Sequence, residues 1–178
     1  MSSTTHMTAV GVRFVDVASQ ARTYTTIGSP VGELTLVGAA EVVSGLYMTQ
    51  YLSLSARGQD WREDADTLPE ARRQLEEYFA GERTSFDLAL SVKGTQFQKQ
   101  VWQQLLEIPY GETISYGQLA DAVGAPRAFR AAGSANGRNQ ISVIIPCHRV
   151  IATGGKLGGY GGGLANKQFL LDLERRHR

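Results

Sequence analysis

The spacing of apolar residues changes about midway along this chain. From Tyr24 it alternates in short stretches: Thr25–Ile27, a turn-rich Gly28-Ser-Pro-Val-Gly32, then Glu33–Val37, which together predict a hairpin. Val42–Tyr47 reads as a third strand. A mostly polar stretch, 59–66, leads to Thr67 and Glu70 at capping-box spacing. Leu68, Ala71, Leu75 and Phe79 then recur at helical spacing, and Gly81 stops the helix. Residues 1–20 show only a brief alternation, Val10–Val15, and read as a loosely held extension. Residues 21–92 therefore read as a small structural α+β domain in which nothing has catalytic character.

Residues 93–178 carry mostly helical spacing and form a second domain. Thr95 with Gln98 makes a capping box before Phe97, Val101, Leu105 and Ile108, and Pro109 ends that helix. Ser115 with Gln118 opens a short helix stopped by Gly124. Pro126 suits a first helical position, so a further helix is expected over 127–136. Two short helices joined by a glycine-containing turn have the shape of a helix-turn-helix. An apolar run, Ile141–Ile145, predicts a strand that delivers Pro146-Cys147-His148-Arg149-Val150. A glycine-rich stretch follows, and a last helix near Leu164–Glu174 is expected to bury Phe169, Leu170 and Leu173.

Composition narrows the class. At 178 residues and 42% hydrophobic, the chain has enough apolar material for a real core. No uncharged apolar run approaches the roughly 18–20 residues that cross a bilayer, and no basic start followed by an apolar stretch marks a secretory leader. The single cysteine excludes an internal disulfide and fits a reducing compartment, so the expectation is a cytoplasmic protein with no membrane contact. The net charge of +1 hides an asymmetry: residues 1–94 hold 8 basic and 12 acidic side chains, and residues 95–178 hold 10 and 5. Between Asp121 and Asp172 there is no carboxylate, while Arg127, Arg130, Arg138, Arg149, Lys156 and Lys167 all fall there. Such a stretch is either a solvated face or the footprint of a polyanion.

Cys147 is the candidate for chemistry. A lone cysteine is ordinarily a small buried hydrophobe. Here it ends an apolar strand after a proline, which predicts a presented side chain. His148 and Arg149 predict an electropositive setting that lowers the thiol pKa, and the nearby glycines allow a ligand to approach the backbone. His148 would serve as base, with a carboxylate to orient it. Glu107, Glu112, Asp121, Asp172 and Glu174 are the candidates, and spacing does not choose among them.

Ile144-Ile-Pro-Cys-His-Arg-Val150 resembles the active-site signature of the O6-alkylguanine-DNA alkyltransferases, the methylated-DNA–protein-cysteine methyltransferases. The resemblance extends through Gly94-Thr, Phe97-Gln, Val101-Trp102, Ile108–Glu112, Ser115-Tyr-Gly, Arg130-Ala-Ala-Gly, Asn136-Gly, Asn139 and Gly158–Gly163. Ser29–Glu33 and Leu34–Val37 resemble the opening of the family's N-terminal domain. It implies an α+β protein: a small N-terminal α/β domain of ribonuclease H-like fold, then a mostly helical domain containing a helix-turn-helix.

The resemblance also implies a reaction and its residues. The thiolate of Cys147 takes the alkyl group from guanine O6 in one in-line displacement and keeps it as a thioether, so each molecule acts once. His148 acts as base through a water, Glu174 orients it, Tyr116 donates a proton to the departing guanine, and Asn139 supports the turn that holds the nucleophile. The carbonyls of Cys147 and Val150 accept from the exocyclic amine. Pro146, Tyr160 and the Gly161 amide complete the pocket. The partner implied is double-stranded DNA bearing alkylated guanine, bound by a monomer through the minor groove, with the damaged base flipped out. Arg130 fills the gap, Arg127 adds charge, and the small Ala128, Ala131 and Gly133 let the second helix approach. O4-alkylthymine is a further candidate substrate. No cofactor is expected, and zinc is not, because the first 94 residues hold no cysteine and a single histidine, His6. Phe129 departs from the pattern where a small residue is expected; it either faces inward or wedges against a base. Two other classes compete: a multiple-turnover cysteine hydrolase or acyltransferase, and a non-catalytic binder of alkylation damage.

Overall fold

The alternating stretches assemble into a six-stranded sheet of β1 (Arg13–Phe14), β2 (Thr23–Ile27), β3 (Leu34–Ala39), β4 (Val42–Met48), β5 (Arg62–Glu63) and β6 (Ala89–Leu90). The structure, a computed structural model, describes residues 11–17, 21–52 and 60–178. Strand order is β1-β6-β4-β3-β2-β5. The expected hairpin forms with Tyr24 opposite Val37, and β4 adds with Leu46 opposite Leu36. Its turn is closed by Gly32 N–H donating to Ser29 O at 3.0 Å, with Gly32 at φ +94°. A register shift between Val37 and Gly38 brings β4 so close that a Cβ at Gly38 would lie 2.2 Å from Val42 O.

β1, β5 and β6 have two residues each and no periodicity to betray them. β1 corrects the reading of a loose extension, since it pairs in parallel with β6 and places Val12 in the core. The rest of that extension, 1–10 and 18–20, lies outside the described residues. Helix α1 (Pro69–Phe79) buries Ala71, Leu75 and Tyr78, the last in place of Phe79. The Thr67–Glu70 capping box does not form: Thr67 instead donates to Thr23 Oγ1 at 2.7 Å, and Glu70 pairs with Arg73. Leu68 sits left-handed at φ 50°, and Pro69 begins the helix without a side-chain cap.

Met1–Val92 and Lys93–Arg178 are two compact units. The second contains α2 (Gln96–Leu105), β7 (Ile114–Ser115), α3 (Tyr116–Ala122), α4 (Phe129–Gly137), β8 (Val150–Ile151) and α5 (Leu164–Arg176). The capping boxes at Thr95/Gln98 and Ser115/Gln118 both form. Trp102, buried on α2, donates to Ala135 O on α4 at 2.8 Å. α3 and α4 pack on each other and are joined by 123–128. Helix α4 starts later than expected because Pro126 and Arg127 are the middle of a turn, closed by Ala128 N–H to Ala125 O at 2.8 Å. On α5 the buried residues include Leu170 and Leu173, while Phe169 is half-buried. Among the described residues no helix is long and apolar enough to cross a membrane.

Candidate active site

The stretch Ile141–Ile145 is not a strand. Asn139 replaces a neighbouring strand as hydrogen-bond partner: its Nδ2 donates to Ile145 O at 2.8 Å, and its Oδ1 accepts from Ile141 N–H at 3.0 Å. The chain between them folds into a buried turn with Val143 at φ 71°, rare for a β-branched residue. Cys147–Arg149 then forms one 3-10 turn leading into β8. β8 pairs in parallel with β7, Ile114 opposite Val150, which brings the start of α3, and so Tyr116, to the same place.

Cys147 is 5% exposed, so it is buried rather than presented. Its thiol pKa is pushed up by burial, with Asn139, then Lys167 and nearby backbone amides pulling the other way. The expectation that His148 and Arg149 acidify it is therefore corrected, because both side chains are spent on Glu174. His148 Nε2 lies 2.7 Å from Glu174 Oε1. Arg149 donates twice to the same carboxylate, Nε to Oε2 at 2.9 Å and Nη2 to Oε1 at 3.0 Å, and Gly111 N–H adds a bond to Oε2 at 3.1 Å. The third guanidinium nitrogen, Nη1, donates to Ile108 O at 2.7 Å.

Burial pushes the Glu174 carboxyl up, but His148 and Arg149 outweigh it and hold the group well below the usual carboxylate range. Glu174 is therefore ionised and can only accept. That fixes the proton of His148 on Nε2 and leaves Nδ1 as the acceptor. Nδ1 is buried and meets no hydrogen-bond partner among the described residues. Burial lowers the His148 pKa against the pull of Glu174, so the ring is neutral at pH 7. The result is a buried thiol adjoining, in sequence, an imidazole whose Nδ1 is left as the acceptor a base needs.

Around this centre Tyr116 is half-buried, its hydroxyl 3.5 Å from Gly159 O and its pKa raised by burial and then by Cys147. Two glycines make room for it: a Cβ on Gly158, at φ +71°, would meet its hydroxyl at 3.0 Å, and one on Gly133 its ring at 3.4 Å. Tyr160 has its hydroxyl buried with no partner among the described residues, and burial raises its pKa well above 10, helped by Cys147 and Glu174. Pro146 and Val150 are buried in the turn itself, and Gly161 is exposed. On the helix pair, Arg127, Arg130 and Ala131 are exposed, and Ala128 is half-buried at the start of α4. Phe129 does not face inward; it is 50% exposed.

Two site residues escaped the sequence reading. Asn136 is buried and directs Nδ2 to Cys147 O at 3.4 Å. Lys167 is wholly buried, and its Nζ donates to Val150 O at 2.6 Å, Leu157 O at 2.5 Å and Gly159 O at 3.2 Å. The signal was there: Lys167 shares the buried face of α5 with Leu170 and Glu174, a charge on an apolar stripe. One ammonium thus ties the end of the nucleophile's turn to the glycine-rich loop. Burial lowers its pKa, opposed by Cys147. Lys167→Met should slow alkylation of Cys147 by iodoacetamide and move its pH profile to higher pH, because it removes a cation that favours the thiolate. A stopped-flow pH series measures both, and an unmoved profile would confine Lys167 to holding the loop.

Comparisons with known proteins place the chain in a family. A family model described as the DNA binding domain of 6-O-methylguanine DNA methyltransferase matches residues 96–176, and one for its ribonuclease-like domain matches 23–92. The methylated-DNA–protein-cysteine methyltransferases of Mycobacterium tuberculosis and Mycolicibacterium paratuberculosis are 52% and 51% identical; the alignments cover 85% and 86% of this chain and 92% and 93% of theirs. The crystal structure of Mycobacterium tuberculosis OGT in complex with DNA superposes with a TM-score of 0.82 at 51% identity, over 87% of this chain and 94% of that one. The chain belongs to the methylated-DNA–protein-cysteine methyltransferase family.

Proposed function

We propose that this protein repairs DNA by moving the alkyl group of O6-alkylguanine onto Cys147, once per molecule. The observation that carries this reading is the His148–Glu174 bond of 2.7 Å, which supports a base role for the imidazole that follows the buried thiol. The thiol proton passes to His148 Nδ1 through a bridging water. The sulfur attacks the alkyl carbon as the carbon–oxygen bond breaks, and the electron pair stays on the guanine. Tyr116 supplies the proton that the departing base takes up, Asn139 holds the turn, and the Cys147 and Val150 carbonyls, Tyr160 and the Gly161 amide receive the base. The sulfur–carbon bond is a thioether, which water does not cleave, so the protein is consumed.

The partner in this reading is duplex DNA, met by a monomer through its minor groove with α3 and α4 acting as a helix-turn-helix. The exposed Arg127, Arg130 and the carboxylate-free stretch 122–171 supply the charge. The free thiol points to the cytoplasm, with the protein on the nucleoid when DNA-bound. Duplex carrying a labelled methyl at guanine O6 should give label on protein that stops at one methyl per molecule. Continued turnover would favour the hydrolase or acyltransferase reading, and binding without transfer the damage binder.

Arg130 separates base flipping from chemistry. Arg130→Ala should slow repair of duplex O6-methylguanine roughly tenfold or more, since unstacking a base costs a few kcal/mol, and leave reaction with free O6-benzylguanine unchanged. Equal losses on the two substrates would remove Arg130 from the flipping step.

A further inference from the structure

Phe129 stands where chain economy gives no reason for an aromatic ring. It begins α4, 50% exposed, in the carboxylate-free stretch of the chain. The Arg130 guanidinium carbon lies 5.8 Å from the centre of its ring, within cation–π range. Arg130 makes no salt bridge among the described residues. Its contact with Phe129 therefore steadies the guanidinium without neutralising it, and leaves its N–H donors free for phosphate or base. The ring keeps its outer face in water, which only an apolar surface relieves. Base faces are such surfaces, and proteins entering the minor groove insert apolar wedges between base steps.

We infer that Phe129 and Arg130 act as one composite wedge, with Phe129 stacking on the base pair beside the extruded guanine while Arg130 occupies the place it left. The inference rests on the flipping role proposed for Arg130 and adds a specific partner for the aromatic ring. A ring stacked on a base is sequence-tolerant, which suits a protein that meets damage in any context. It also makes no phosphate contact, so its contribution is insensitive to salt.

The test uses the full chain, O6-methylguanine duplex, the same duplex with 2-aminopurine beside the lesion, and free O6-benzylguanine. Phe129→Ala should slow duplex repair about tenfold, in the range that base–aromatic stacking supplies. It should also reduce the 2-aminopurine signal change on binding, and leave the free-base reaction and the salt slope of DNA binding unchanged. Phe129→Trp should retain repair, and Phe129→Ala combined with Arg130→Ala should lose less than the product of the two single losses, because the pair acts as a unit. Repair by Phe129→Ala within twofold of the parent would overturn the inference, as would an equal loss on free O6-benzylguanine. Equal losses for Arg130→Ala on both substrates would instead overturn the flipping role beneath it.

Discussion

Replacing Cys147 with alanine should abolish methyl transfer to the protein and spare its binding to O6-methylguanine duplex. The loss is complete rather than graded because this is the chain's one cysteine, and no other side chain in the described site is a comparable nucleophile for an alkyl carbon. Alanine suits the test, since the residue is buried and a small apolar replacement neither strands a polar group nor overfills the turn. Mass spectrometry of parent protein after exposure to the duplex should find one methyl on the peptide containing Cys147, stable to prolonged incubation. Gel-shift titration of Cys147→Ala should give a dissociation constant within twofold of the parent. Methylation of the variant at any other residue would sink the assignment of the acceptor.

Glu174→Gln should be the most damaging substitution that leaves the nucleophile in place. The carboxylate accepts from His148 and twice from Arg149, all buried, and from the half-buried Gly111. Glutamine keeps the shape but leaves the Arg149 guanidinium buried without its counter-charge, and breaking such a pair costs about 3–5 kcal/mol. The melting midpoint should fall by about 10 °C. Reaction with free O6-benzylguanine should slow about a hundredfold, the lower end of what a positioned base contributes. The sign with pH follows from Glu174, whose folded pKa is depressed. Its stabilisation is fully present above the unfolded value of about 4.3 and fades only as pH falls through the folded one. The part of the stability gap that comes from Glu174 itself should thus stay flat through neutral pH and shrink below about 4.3. His148, also depressed, adds a decline in both proteins as pH drops below about 6.5, and it runs further in the variant, because Glu174 raises the His148 pKa and glutamine does not. Chemical denaturation at a series of pH values checks this: the gap should widen in mild acid before it shrinks, and a gap that shrank from neutral pH downward would contradict it.

Local signals in the sequence held where nothing in the tertiary fold competed with them. The hairpin, β4 and the boxes at Thr95/Gln98 and Ser115/Gln118 all formed. The same spacing at Thr67/Glu70 failed because Thr23 and Arg73 offered those side chains other partners. Ile141–Ile145 carries the composition of a buried strand, yet one asparagine amide supplies the bonds a neighbouring strand would have made. The candidate site was legible as residues and less so as electrostatics. His148 and Arg149 adjoin Cys147 in sequence, but a tight turn sends their side chains to Glu174. The cation that acts on the thiol is Lys167, far along the chain. Adjacency in sequence misreads charge wherever the backbone turns within a single residue.

The 2.7 Å bond between His148 and Glu174 spans a loop of 26 residues and so has a consequence in time. During synthesis the turn bearing the thiol exists before the carboxylate that sets its base has been added to the chain. In the mechanism proposed above, a nascent protein would carry its nucleophile without a working proton acceptor until α5 folds back against the turn. The sulfur, used once in that mechanism, would stay idle until the molecule that must spend it is assembled.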